Sequence, residues 1–153
     1  MIFPSIQHRD LPDAYLKIFF TQENDPEASL MAAYPSKNEA AFFAHWKKKV
    51  PGNVQTILFN QSVAGSIESW ELEGKRLVGY WIGREYWGKG IATAALQKFL
   101  TLEKRRPLYA YVANHNKGSM RVLEKCGFRI LGQGTIFSEV HGHDIEETHF
   151  ICK

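Results

Sequence analysis

The chain has 153 residues, 44% hydrophobic and 23% charged, a balance that suits one compact domain over 1–153 and leaves little room for two. Lys and Arg number 19 against 16 Asp and Glu, a formal charge of +3, which is too weak for a dedicated nucleic-acid binder yet compatible with a small anionic ligand. The longest apolar run, Leu108 to Ala113, is far short of the roughly 20 residues that cross a bilayer. The opening MIFPSIQHRD has no signal-peptide core, so a cytoplasmic protein without membrane contact is expected. Cys126 and Cys152 are the only cysteines, and neither lies in a CxxC or His-rich spacing, so no disulfide framework and no structural metal is expected.

From Leu11 to Val50 apolar residues recur at helical spacing, as in Tyr15, Ile18, Phe19 and later Ala41, Phe42, Trp46. Breaks at Asn24-Asp25-Pro26 and Tyr34-Pro35 divide this stretch into two or three short helices. Val54 to Phe59, Val63 to Leu72 and Arg76 to Gly83 are rich in β-branched and aromatic residues, with turn chemistry between them, and predict an antiparallel meander. The third segment is apolar on both faces and belongs at the centre of a sheet, with Gly79 and Gly83 as places for a bulge or a close backbone approach. A helix follows over Ile91 to Arg105, where Ile91, Ala95, Phe99 and Ala92, Leu96, Leu100 repeat every four residues, and Pro107 ends it. Leu108 to Val112 reads as a second buried strand, Asn116 as the cap of a helix running to about Lys125, and Gly127 as its left-handed stop. Phe128 to Leu131 and Thr148 to Ile151 read as closing strands joined by a polar loop at His141-Gly142-His143-Asp144. The order predicts an α/β fold with a mixed sheet.

The most informative segment is Trp87-Gly88-Lys89-Gly90-Ile91-Ala92-Thr93, between a strand and a helix. A two-glycine loop opening a helix leaves several backbone N–H groups pointing one way, with the helix dipole behind them, which suits a pyrophosphate. Gly88 and Gly90 permit positive φ, and Lys89 adds charge. The plain alternative is a tight turn that needs glycine for packing alone. Gly83 to Gly90 nearly matches GxxxxGK[ST], but Gly90 has no hydroxyl for Mg²⁺ and Tyr86-Trp87 is bulky for a loop that wraps a phosphate, so an NTPase is disfavoured. GxGxxG is absent, and a dinucleotide fold has no support.

Taken with Tyr80-Trp81-Ile82-Gly83 before it and the run Asn114 to Phe128 after it, this segment resembles the GNAT superfamily of N-acetyltransferases, nearest the branch that includes enzymes acetylating protein N-termini. The resemblance spans Gly79 to Gly132, and Trp87 stands where Gln or Arg is usual in its loop pattern. It implies a central mixed β-sheet, mostly antiparallel with a splayed parallel pair, flanked by helices. It also implies acetyl-CoA as cosubstrate, with Trp81, Ile82 and Gly83 holding the pantetheine arm and Trp87, Gly88, Lys89, Gly90, Ile91, Ala92 and Thr93 holding the pyrophosphate. The acceptor would be an amine-bearing small molecule or peptide that attacks the thioester directly, without an acyl-enzyme. A homodimer is left open.

The leaving-group tyrosine of many relatives falls on Leu123, whereas the branch with Asn-x-x-x-x-Ser places a serine on Ser119, which the resemblance makes the proton donor to CoA sulfur. Its plain alternative is a backbone hydrogen bond at the helix start. Asn114 could hold the pantetheine amide or the incoming amine, or be a turn residue. Glu68, Glu85 and Glu139 are the candidate bases on chemistry alone, and a water chain could serve instead. Cys126 reads as packing. His141, His143 and Asp144 make too weak a pattern for a metal, and Trp46-Lys47-Lys48-Lys49 and Lys104-Arg105-Arg106 read as solvated faces, either of which could meet the 3′-phosphate of CoA. A catalytically silent acyl-CoA sensor of the same fold is the competing class, and a ligand-free interaction domain is a poorer third.

Overall fold

The computed structural model describes residues 2–6, 13–35, 37–47 and 54–153, so Lys48 and Lys49 of the basic run lie outside the described residues. In chain order the elements are β1 (Ile2–Ile6), α1 (Asp13–Glu23), α2 (Pro26–Ala32), α3 (Glu39–Lys47), β2 (Val54–Phe59), β3 (Ser62–Leu72), β4 (Lys75–Ile82), α4 (Ile91–Leu102), β5 (Leu108–Ala113), α5 (Lys117–Lys125), β6 (Arg129–Ser138) and β7 (His143–Cys152). The strands form one sheet in the order β1-β2-β3-β4-β5-β7-β6. All neighbours are antiparallel except β4 and β5. This is the mixed sheet that the sequence implies.

Successive residues of a strand face opposite sides, and β2 sorts its side chains accordingly. Ile57 joins a cluster with Ile67, Val78, Leu96, Phe99 and Phe150 beneath α4 and α5. Val54 joins Leu16, Phe19, Phe42 and Trp46 of α1 and α3 on the other face. No described helix is long and apolar enough to cross a membrane.

Three elements differ from expectation. β1 was not foreseen, because Pro4 interrupts a short apolar run and argues against a strand; the segment pairs only with β2, and such an edge tolerates a residue with no N–H. The polar loop before the last strand is smaller than expected, because β6 and β7 extend into a hairpin paired as far as Ser138 and His143. Register shifts fall on β3, where Ile57↔Gly65 passes to Leu58↔Val63, and on β6 between Ile130 and Gly132, while Gly79 and Gly83 are close approaches instead of bulges, a Cβ there coming within 2.9 Å of the Trp70 ring and 2.8 Å of the Gln22 side chain.

Arg76 opens β4 from a buried position and shares its surroundings with Glu103, just past α4. Ser69 Oγ donates to Glu103 Oε1 at 2.6 Å, Arg105 Nη2 donates to the same oxygen at 2.9 Å, and Arg76 Nε lies 3.5 Å from it. Burial pushes the Glu103 carboxyl up, but the hydrogen bonds from Arg105 and Ser69 outweigh it and hold the group at about 2. A carboxylate held below its unfolded value stabilises the fold above that value and stops doing so as pH falls through the folded one. The unfolding temperature should therefore fall between pH 4.5 and about 2. Glu103→Gln should be less stable at pH 7 and show a flatter dependence across that window, as followed by circular dichroism.

Candidate active site

The parallel ladder between β4 and β5 is two residues long, Arg76↔Leu108 and Leu77↔Tyr109, and from Val78 onward the strands separate. β4 stays paired with β3 on its other side, Trp81 opposite Ser66 and Gly79 opposite Glu68, and the Gly83 N–H donates to the Ala64 carbonyl at 2.8 Å. Backbone groups alternate sides along an antiparallel strand, so the main-chain groups of Trp81 and Gly83 serve β3, whereas the Tyr80 carbonyl and the Ile82 N–H face the gap. Of the expected backbone trio Trp81, Ile82 and Gly83, Ile82 is the one placed to donate into the opening.

Beyond Gly83 the chain makes one 3₁₀ turn, Arg84–Tyr86, and then the glycine loop. The Trp87 indole N–H donates back to the Ile82 carbonyl at 2.8 Å, so this side chain latches the loop to the end of β4. Gly88 and Gly90 have φ of +75° and +76°, and a Cβ at either would meet nothing within 4 Å, so glycine is needed here for conformation and not for space. The first backbone bond of α4 runs from Ala94 N–H to the Gly90 carbonyl, and no side chain caps the helix start. The N–H groups of Ile91, Ala92 and Thr93 therefore have no helical acceptor, and their residues wall a cleft of about 480 Å³ together with Trp81, Ile82, Trp87, Gly88 and Gly90. Such a wall fits the pyrophosphate of a coenzyme. Lys89 is exposed beside this wall, and neither Lys89 nor Gly83 lines it.

Across the cleft the Asn116 side chain caps α5 by accepting from the Ser119 backbone N–H at 3.3 Å. That leaves the Ser119 hydroxyl for another partner, the Tyr80 hydroxyl at 2.7 Å. Burial raises Tyr80 to about 12 against the opposing effect of that hydrogen bond, so it is a neutral phenol at physiological pH. Tyr80 was missed in the sequence because a tyrosine on a central strand reads as core; only the two-residue parallel ladder opens a space in front of it. Asn114 sits differently from its expected role: it accepts from Thr148 Oγ1 at 2.6 Å, donates to Gln133 at 3.3 Å and lines neither cavity. Glu139 is exposed in the β6–β7 turn, and Glu85 is exposed in the 3₁₀ turn.

A second cavity of about 580 Å³ opens on the other side of the same gap, lined by Glu23, Tyr34, Trp70, Gly79 and Tyr111 among others, and of the three candidate bases Glu68 is the one in its wall. The two cavities share Ala32, Tyr80, Trp81, Asn116 and Ser119. The Tyr80–Ser119 pair thus stands where they meet. Cys126 packs against the core with its thiol 3.6 Å from the Thr93 carbonyl; burial raises its pKa, and it lines neither cavity. Among the described residues no cluster of metal-ligating side chains occurs.

Residues 2–129 match the family model described as an acetyltransferase (GNAT) domain, and the chain belongs to that family. A Bacillus subtilis (strain 168) protein provisionally named ribosomal N-acetyltransferase YdaF is 34% identical over 99 residues. That match covers 58% of this chain and 54% of the relative, so the chain spans about half of that protein's length. Among solved structures, spermidine N-acetyltransferase from Vibrio cholerae in complex with CoA and spermine superposes with a TM-score of 0.79 at 16% identity, covering 99% of this chain and 94% of that one. Ribosomal-protein-alanine N-acetyltransferase from Brucella melitensis gives 0.78 at 15%, covering 99% and 98%. These likenesses concern the fold.

A β-branched residue is strained in the left-handed conformation that Gly90 holds, so Gly90→Val should turn the exposed N–H groups away from the cleft. Calorimetry should show acetyl-CoA affinity reduced by at least about tenfold in a folded variant, whereas Lys89→Ala, losing one screened surface charge, should cost on the order of 1 kcal/mol or less. Unchanged affinity in folded Gly90→Val would remove the cofactor from this loop.

Proposed function

We propose that the protein transfers an acetyl group from acetyl-CoA directly to a primary amine. The observation that carries this reading is the meeting of two cavities at one gap: a cleft walled by a helix N-terminus on one side, a pocket with a carboxylate on the other, and a pair of hydroxyls between them. Such an arrangement holds two substrates at once and leaves no need for a covalent enzyme intermediate. The half-buried Cys126, its thiol pKa raised and its side chain outside both walls, agrees with that.

In this reading the amine enters neutral from the second cavity and attacks the thioester carbonyl. Negative charge develops on the carbonyl oxygen, and the Ile82 N–H facing the gap is the donor placed to receive it. The amine's surplus proton passes to Glu68, directly or through a water. The carbon–sulfur bond then breaks, and the thiolate takes its proton from Ser119, which is reprotonated through Tyr80 and solvent as Glu68 returns the amine's proton to solvent. Because the acetyl group never leaves the gap until it is bonded to nitrogen, proximity supplies much of the acceleration.

Ser119→Ala should lower kcat by roughly 100-fold while leaving acetyl-CoA affinity nearly intact. Tyr80→Phe keeps the ring and should give a smaller fall in kcat. The measurement is release of free CoA thiol in the presence of an amine panel, with calorimetric acetyl-CoA binding as the control. A folded Ser119→Ala protein with full kcat would sink the acid role, and acetyl-CoA binding without thiol release from any amine would leave the protein a sensor.

A further inference from the structure

We propose that Lys117, Arg121 and Lys125 form a separate anion subsite in the first cavity, which receives the 3′-phosphate of the coenzyme and makes the protein prefer CoA to a coenzyme lacking that group. The inference rests on the reading of this cleft as a coenzyme site. All three side chains line the cleft, and no Asp or Glu is among its described lining residues. Arg84 and Arg105, also exposed, are each paired with a carboxylate at 2.9 Å. The side chains of Lys117, Arg121 and Lys125 have no such partner among the described residues.

The three cations recur every fourth residue of α5, and their placement round the helix decides which part of a ligand they face. At about 100° per residue, Lys117 and Arg121 lie about 160° round the helix from Ser119, and Lys125 about 120°. Gly118 and Val122 line the cleft between these two flanks. The Ser119 flank meets Tyr80 at the gap, so the cationic flank is the one turned away from the reacting end. At the end of α5 the Cys126 thiol lies 3.6 Å from the Thr93 carbonyl, which sets the last turn of α5 against the first turn of α4 and its free N–H groups. A ligand that reaches from the gap to those N–H groups leaves its far end on the side of the cationic flank.

The chemistry of the row suits a phosphate monoester. The pyrophosphate is already served by backbone N–H groups and the helix dipole. The 3′-phosphate carries roughly two negative charges at neutral pH and three accepting oxygens. The planar Arg121 guanidinium can take two of those oxygens at once, and the flexible lysines add point charges. The basic runs that the sequence offered for this group stand elsewhere: Arg105 is tied to Glu103, Arg106 donates to the Glu103 carbonyl at 2.7 Å, and neither Lys47 nor Lys104 lines the cleft. Sequence alone gave the α5 row no weight, because cations at helical spacing read as a solvated face.

Calorimetric titration with CoA and with 3′-dephospho-CoA needs no acetyl transfer and decides the proposal. CoA should bind at least about tenfold tighter than dephospho-CoA, and raising NaCl from about 50 to about 500 mM should narrow the difference, because the contacts are exposed. Arg121→Gln combined with Lys125→Gln should lower CoA affinity about tenfold and leave dephospho-CoA affinity within about twofold, with folding verified by circular dichroism. Glu124→Gln, on the same helix outside the cleft wall, should leave the preference for CoA intact. If the double variant does not fold, Arg121→Gln alone should still weaken CoA several-fold more than dephospho-CoA. Equal affinity of the unaltered protein for the two ligands would overturn the inference and leave the coenzyme site standing. A folded variant that weakens both ligands alike assigns the row to the pyrophosphate, and one that keeps the full preference places the 3′-phosphate elsewhere; either result overturns the inference. Binding of neither ligand to the unaltered protein is a different failure, that of the coenzyme reading, and the inference falls with it.

Discussion

The two-residue ladder between β4 and β5 is the constraint on which the rest of the structure depends. Parallel strands that stayed paired to their ends would satisfy their backbone groups against each other and leave no opening. Here the pair is held at its base by the buried Arg76, Glu103 and Ser69, and each outer edge is committed to an antiparallel neighbour, β3 on one side and β7 on the other. The two strands are therefore pulled towards different partners as they rise. The gap is a consequence of sheet topology, and it exposes the Ile82 N–H and the Tyr80 carbonyl without relying on a flexible loop.

What closes over that gap is assembled from weaker contacts. Arg84 reaches from the 3₁₀ turn to Asp25 at 2.9 Å and to Glu27 at 3.0 Å, tying the start of α2 to the glycine loop. Arg84 and Glu27 are exposed and Asp25 is partly buried, so the contact to Glu27 guides geometry more than it stabilises the fold. At the far end of α2 the Leu30 carbonyl accepts from His115 Nε2 at 2.9 Å, which requires that nitrogen to carry its proton. The helix is thus tethered to both rims, to the loop before α4 and to the turn before α5, and it supplies Ala28, Met31 and Ala32 to the cleft.

The parts of the fold set by local chemistry were legible in the sequence. The meander, the glycine loop, the amphipathic α4 and the Asn116 cap each announce themselves within a few residues, and the structure places them where those residues indicate. What depends on distant pairing was not legible. Pro4 hides an edge strand whose partner is more than fifty positions away, near Ile57. The asparagine lining both cavities is Asn116 rather than Asn114, because Asn114 continues the β5 pairing direction and its side chain is taken up by Thr148 of β7. Tyr80 gave no signal, since its role as neighbour to Ser119 comes from bringing β4 against α5, two elements separated by a helix and a strand.

The Tyr80–Ser119 contact also orders its own protons. Two hydroxyls 2.7 Å apart share one hydrogen between them, and the other hydrogen is free to point elsewhere. Either hydroxyl can be the donor at this distance; a phenol is the more acidic of the two, and in the arrangement where Tyr80 gives its hydrogen the Ser119 oxygen accepts it. The Ser119 hydrogen then has no role inside the pair and can turn into the cleft. Burial keeps Tyr80 protonated up to about pH 12, so this arrangement persists across the whole range in which an amine could be acetylated. Leu123, at the position of the usual leaving-group tyrosine, is buried and aliphatic. In the proposed reaction a phenol on the strand, acting through Ser119, would serve the leaving group without a tyrosine on α5.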